Sequence, residues 1–216
     1  MTIIPNCNIF YCMSVVMGID EAGRGPVLGP MVVAGVVLNE QSSQKLVALG
    51  LKDSKKLSPK KRQIMFELIK TEALWTKAIV IWPKEIDISV KSHGLNQLER
   101  DKFAEIINSY QGTAKIIIDS PQTPAVFTAM INEKLNSVRD VLCSFKADTL
   151  YPEVSAASVV AKFTRDSIIE ELKTEFGDFG SGYPSDPKTR AFLSTMKGVP
   201  HFVRTSWKTY SELSLL

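Results

Sequence analysis

The chain has 216 residues, 44% of them apolar, and a formal charge of +3. That length suits one large domain, or one domain with a small appendage, and the apolar share supports a sizeable core. A charge this small does not by itself mark a nucleic-acid binder. Cys7, Cys12 and Cys143 show neither metal-ligand nor disulfide spacing, which points to a reducing compartment, the cytoplasm. His93 and His201 are the available imidazoles. No G-x-S-x-G, P-loop or H-E-x-x-H occurs, so the enzyme classes built on those motifs lose support.

Residues 1–12 read as a loosely attached N-terminal extension. The stretch up to Ile19 is apolar but broken by Pro5, Asn6, Asn8 and Ser14. It lacks the basic start of a signal peptide and the roughly 18 uninterrupted apolar residues of a membrane span. Translation starting at Met13 or Met17 is an open alternative.

The run Val15 to Ile19 predicts a buried strand. It leads into Asp20-Glu21-Ala22-Gly23-Arg24-Gly25-Pro26. Adjacent strand residues point to opposite faces, so Asp20 and Glu21 can converge only where the strand ends and turns. Gly23 and Gly25 supply the turn. Taken alone, the acidic pair reads first as a solvated turn.

Met31 to Leu38 predicts a second strand paired with the first, with Pro30 at its start. A short helix is expected over Gln41 to Leu49. Ser58 as N-cap and Pro59 as first helical residue predict a helix from about Lys60 to Glu72. Between Lys52 and Arg62 lie six basic residues and one acid. Such a run is ordinarily a solvated face; phosphate contact is the sharper alternative.

Ala78 to Trp82 predicts a third strand closed by Pro83, and Asn96 to Ser109 a helix. Lys115 to Ile118 predicts a central strand covered on both faces and ending at Asp119. That aspartate is either a turn residue or a functional group at a strand end. A helix over Pro124 to Leu135 and a strand over Val141 to Phe145 follow, and then Asp148. Ser155 is expected to cap a helix to about Glu175, with Lys162 and Arg165 on one face. The loop Gly180 to Pro187 carries Tyr183, and a helix is expected from Lys188 to Lys197.

Asp20, Glu21, Asp119 and Asp148 thus follow different apolar runs. In a sheet with a parallel portion those ends lie side by side. Clustered carboxylates raise one another's pKa, and hard divalent cations would relieve that repulsion. Mg²⁺ prefers such oxygen ligands, and a metal pair about 3.5–4 Å apart suits phosphoryl transfer. The imidazoles and thiols are too few for a zinc site.

GIDEAGRGPVLGP, DSKKLSPKKR, IIIDS, KADTLYPEVSAASVVAKFTRD and GSGYPSDPKTRAFL occur in this order. Together they resemble type 2 ribonuclease H, ribonuclease HII, in its single-subunit archaeal form, over about Val15 to Lys208. The resemblance implies an α/β, RNase H-like fold: a central mixed five-stranded sheet flanked by helices, with a helical C-terminal region. It implies a catalytic domain over 13–176 and a substrate-binding appendage over 177–216 of the same unit. It implies that Asp20, Glu21, Asp119 and Asp148 bind Mg²⁺ or Mn²⁺, two ions in the substrate complex, and carry catalysis. Gly23, Arg24 and Gly25 match the family's ribonucleotide sensor, and Tyr183 the tyrosine that stacks on the following sugar. Lys55, Lys56, Lys162 and Arg165 fall at positions suited to phosphate contacts.

The implied substrates are RNA–DNA hybrid and duplex DNA carrying ribonucleotides, cut 5′ of the ribonucleotide to leave 5′-phosphate and 3′-hydroxyl ends. A monomer is expected, without membrane attachment. Ser211 to Leu216 lacks the glutamine and paired aromatics of a sliding-clamp ligand, so no clamp binding is expected. The competing readings are a junction resolvase or type 3 ribonuclease H, a non-catalytic nucleic-acid-binding subunit, and an α/β protein with incidental acidic turns.

Overall fold

The computed structural model describes residues 14–52 and 54–213. The expected N-terminal extension lies outside them. The first apolar run forms β1 (Val15–Ala22) and the second β2 (Met31–Asn39). They pair antiparallel, with Asp20 opposite Ala34. β3 (Trp75–Ile81) pairs antiparallel with β2. β4 (Lys115–Asp119) lies parallel to β1, and β5 (Val141–Ser144) parallel to β4. Among the described residues this makes a five-stranded mixed sheet in the order β3-β2-β1-β4-β5. Because β1, β4 and β5 run the same way, their C-terminal ends share one edge. Ile19 pairs with Ile118, and Asp119 with Ser144.

Helices cover both faces, as a buried parallel portion requires. The other elements are α1 (Glu40–Ala48), a 3₁₀ turn (Ser54–Lys56), α2 (Pro59–Glu72), α3 (Pro83–Ser92), α4 (Leu95–Ser109), α5 (Pro124–Asn132), α6 (Ala147–Leu150), α7 (Pro152–Phe176), α8 (Pro187–Thr195) and α9 (Lys208–Leu213). On one face Met17, Ile19, Val33, Ile116 and Ile118 pack against Ile86 of α3, Phe103 and Ile106 of α4 and Phe127 of α5. On the other, Ala22, Val32, Ala34 and Val36 meet Ala156, Ala157, Val159 and Val160 of α7, with Met65 and Ile69 of α2 beyond. Gly18 lets α7 approach β1 closely: a Cβ there would lie 2.0 Å from the Glu153 carbonyl carbon. A third cluster joins Val27 and Leu28 to Ile169, Leu172, Phe179, Leu193 and Phe202, fixing the C-terminal region to the loop after β1. No helix among the described residues is long and apolar enough to cross a membrane.

Several boundaries differ from expectation. β3 starts at Trp75, three residues before Ala78. Pro83 does more than close β3, because it is the first residue of α3, an unexpected helix. Its fixed φ suits a helix start as well as a strand stop. Ser155 is not an N-cap: α7 begins at Pro152, and the Ser155 hydroxyl is buried without a hydrogen-bond partner. At α2 the expectation holds, with Ser58 accepting from the Lys61 N–H and Pro59 in the first turn.

Candidate active site

β1 extends through the acidic pair to Ala22, and the chain turns at Gly23 with φ +87°. Strand alternation therefore persists through Asp20 and Glu21. Asp20 lies on the face of α7, where the Ser158 hydroxyl bonds its carboxylate, and it is 5% exposed. Its Oδ1 also accepts from the Glu21 N–H at 2.7 Å. Glu21 is half-buried and interacts electrostatically with Arg24 and Asp119. The two carboxyls nonetheless come within hydrogen-bonding reach of each other around the end of the strand.

Asp119 ends β4, next to β1. Its Oδ1 accepts from the Ala147 N–H at 2.8 Å. Lys146, with φ +55°, makes the reversal that aims this N–H back at β4. One residue on, Asp148 sits buried in the first turn of α6. Burial raises the Asp20 pKa, and the charges of Glu21 and Asp119 raise it further. Burial and then Asp119 raise Glu21. Burial also raises Asp119, with Asp148 adding to it and Lys55 opposing. The sheet edge therefore gathers all four expected carboxylates into one electrostatic cluster. Among the described residues, however, no group of three or more His, Cys, Asp or Glu forms a ready-made metal cage.

The Gly23-Arg24-Gly25 loop is held by its carbonyls. Arg204 donates from Nη2 to the Gly23 oxygen at 2.6 Å and from Nη1 to the Arg24 oxygen at 2.9 Å. Trp207 Nε1 donates to the Gly25 oxygen at 3.0 Å. Arg204 is fully buried, also donates to Gly29, and stacks on Trp207 at 4.8 Å. Burial first, and the Arg165 charge second, lower its pKa to about 9, which leaves it protonated at neutral pH. A Cβ on Gly23 would lie 2.3 Å from Arg165 Nε and 2.7 Å from the Pro30 oxygen, so this position needs glycine for space as well as for its φ.

Tyr183 is 42% exposed, and its Cε1 lies 3.5 Å from where a Cβ on Gly25 would stand. Its loop docks through the Gly182 oxygen, which accepts from the Val27 and Leu28 N–H groups at 2.8 and 3.2 Å. The sensor candidate and the stacking candidate are thus neighbours.

The basic residues separate. Lys55 and Lys56 occupy the 3₁₀ turn, and Lys55 faces Asp119 electrostatically. That turn is pinned by Arg62, which donates to the Ser54 and Leu57 oxygens, and by a 2.8 Å Ser54–Ser158 hydroxyl contact. Lys162 pairs with Asp166 at 2.6 Å. Arg165 does not share a solvent face with Lys162. It is 2% exposed and donates to the Pro30 and Leu28 oxygens, so it braces the turn after β1 from within. Glu99, Arg204 and Trp207 escaped the sequence reading, and Arg62 entered it only as the last of the six basic residues.

The family model of Ribonuclease HII matches residues 17–210. A ribonuclease HII of Pyrococcus furiosus is 45% identical over 202 residues, spanning 91% of this chain and 89% of its own. The crystal structure of ribonuclease H2 from Pyrococcus horikoshii OT3 superposes with a TM-score of 0.87 at 39% identity, covering 93% of this chain and 97% of that one. RNase HII of Archaeoglobus fulgidus, in its complex with PCNA, gives a TM-score of 0.83 at 40% identity over 92% and 96% of the two chains. Fold and sequence together define an endonuclease of the type 2 ribonuclease H class, a hydrolase acting on RNA–DNA hybrids. The chain belongs to the ribonuclease HII family.

Proposed function

We propose that this chain cuts the RNA strand of RNA–DNA hybrids, and duplex DNA on the 5′ side of an embedded ribonucleotide, leaving 5′-phosphate and 3′-hydroxyl ends. The observation that carries this reading is the placement of four carboxylates at one sheet edge beside a carbonyl-clamped glycine loop and an exposed tyrosine. Asp20, Glu21, Asp119 and Asp148 offer only hard oxygen donors, and the mutual charge on three of them favours a cation. That donor chemistry fits Mg²⁺ or Mn²⁺. Mg²⁺ and Mn²⁺ keep waters and take substrate phosphate oxygens as ligands, so the four carboxylates need not fill the coordination shell. Two ions bound there supply water activation and charge for the leaving 3′ oxygen.

The chain's own groups divide the remaining work. Clamping of the Gly23, Arg24 and Gly25 carbonyls fixes the loop's backbone, and glycines let a 2′-hydroxyl approach it. Tyr183 stacks on the sugar after the ribonucleotide, where a second 2′-hydroxyl would crowd the ring. Lys55, Lys56 and Lys162 attract backbone phosphates. Arg165 acts one step back, holding the turn that carries the sensor. We take residues 13–176 as the catalytic part and 177–216 as the part that delivers Tyr183 and Arg204 to it.

Ser211 to Leu216 carry no glutamine with paired aromatics, so we propose no clamp binding through them; the Archaeoglobus relative is solved in complex with PCNA, which makes PCNA the partner to test. Asp20→Asn tests the central assignment. The variant is expected to melt within a few degrees of the parent while Mg²⁺-supported cleavage of an RNA–DNA hybrid falls to background. A folded variant that still turns over the hybrid would overturn the role of Asp20.

A further inference from the structure

Arg24 lies three residues beyond Glu21 and is shared between two acids. Its Nη1 pairs with Oε2 of Glu99 on α4, and its Nη2 donates to Asn96 Oδ1 at 2.5 Å. Asn96 is itself held, donating to Gln122 Oε1 at 2.7 Å. The Glu99 side chain is fully buried, and its second oxygen, Oε1, has no hydrogen-bond partner. Its neighbours on α4 include the buried Leu98 and Phe103. A buried carboxylate with one oxygen unsatisfied is costly. The other acid within reach of the Arg24 charge is Glu21.

A guanidinium set free beside three like-charged carboxylates would settle on them, since Arg matches carboxylate geometry with two parallel hydrogen bonds. It would then neutralise the cluster from within and compete with any incoming cation. We infer that Glu99 is a positioning residue that holds the Arg24 guanidinium off the Asp20–Glu21–Asp119 cluster and so keeps the cluster open to a divalent cation. The inference rests on the metal reading above and adds to it a residue that touches neither metal nor substrate.

The test is Mn²⁺ binding to the free protein by isothermal titration calorimetry, which needs no turnover. Glu99→Gln keeps the shape and removes the charge. Its Mn²⁺ affinity is expected to fall about tenfold, the lower end of what outer-shell partners of metal sites contribute. The double variant Glu99→Gln/Arg24→Ala is expected to regain wild-type affinity, because the competing guanidinium is gone. A purely structural role for Glu99 would lower the melting temperature without that rescue. Asn96→Ala loosens Arg24 from its other anchor and should give a smaller loss, which covers the case in which Glu99→Gln fails to fold. Folded Glu99→Gln binding Mn²⁺ as the parent does, or a loss that persists in the double variant, would overturn the inference. So would an unaltered Asn96→Ala if Glu99→Gln does not fold. A wild-type protein that binds no Mn²⁺ would sink the metal reading itself, a different failure.

Discussion

Arg204 and Trp207 deliver three hydrogen bonds to three successive carbonyls, those of Gly23, Arg24 and Gly25. Each bond contributes only about 1 kcal/mol net, yet together they fix the path of a glycine-rich loop that would otherwise sample many conformations. Trp207→Phe removes the Gly25 bond and keeps an aromatic ring over Arg204. It is expected to lower stability by about 1 kcal/mol in urea melts. Cleavage at a single embedded ribonucleotide should fall further than that, by about tenfold, because small misplacements at a reacting centre are amplified in rate. Rates at wild-type level would mean that the loop keeps its path without the clamp. This residue-level detail was not legible in the sequence. Arg204 looks like any arginine in a mixed segment, and Arg165 like a surface charge beside Lys162. Both are buried, and only tertiary packing decides that. Asp20, Glu21, Asp119 and Asp148 stood out as candidates because each follows an apolar run and falls within the ordered motifs.

At the scale of elements, two contacts set the site. β1 and α7 touch so closely that Gly18 has no room for a methyl group. Since the added carbon would meet backbone rather than a flexible side chain, Gly18→Ala is expected to cost about 3 kcal/mol or more, at or above the upper end of core overpacking. Calorimetric melting would reveal it, and a loss under about 1 kcal/mol would show that α7 shifts freely. The second contact ties α3 to the segment before α9. Asp87 Oδ2 accepts from the Thr205 N–H and hydroxyl at 2.8 Å each, and Oδ1 from the Ser206 N–H and hydroxyl at 3.0 and 2.6 Å.

Burial alone would raise the Asp87 pKa, but these bonds outweigh it and hold the carboxyl below its ordinary value. A pKa lower in the folded state contributes stability above the unfolded value, about 4, that is lost as the pH falls through that region. Asp87→Asn should therefore be less stable than the parent at pH 7, with the gap closing in melts below about pH 4. A gap independent of pH would contradict the assignment. α3 itself was hidden because Pro83 was read only as the end of a strand, and the same residue starts a helix.

At the scale of the molecule, the mixed sheet is what turns scattered acids into a site. Antiparallel β2 and β3 occupy one side, and parallel β1, β4 and β5 bring their C-terminal ends to a common edge. The order of strands in space could not be read from hydrophobic runs, which carry no pairing information; the ordered motifs implied only a central mixed five-stranded sheet, which the structure has. The C-terminal region then closes over the loop after β1 through a shared aromatic cluster and the Arg204 clamp, setting the glycine loop and Tyr183 side by side. In the proposed function this edge recognises a single ribonucleotide and cuts beside it. The most direct measurement is end-mapped cleavage of a DNA duplex carrying one ribonucleotide, with Mg²⁺ or Mn²⁺ and an all-DNA duplex of the same sequence as control. A single cut on the 5′ side of the ribonucleotide is expected, leaving a 3′-hydroxyl and a 5′-phosphate, with the control intact. No cleavage in either metal, or equal cutting of the all-DNA duplex, would contradict it.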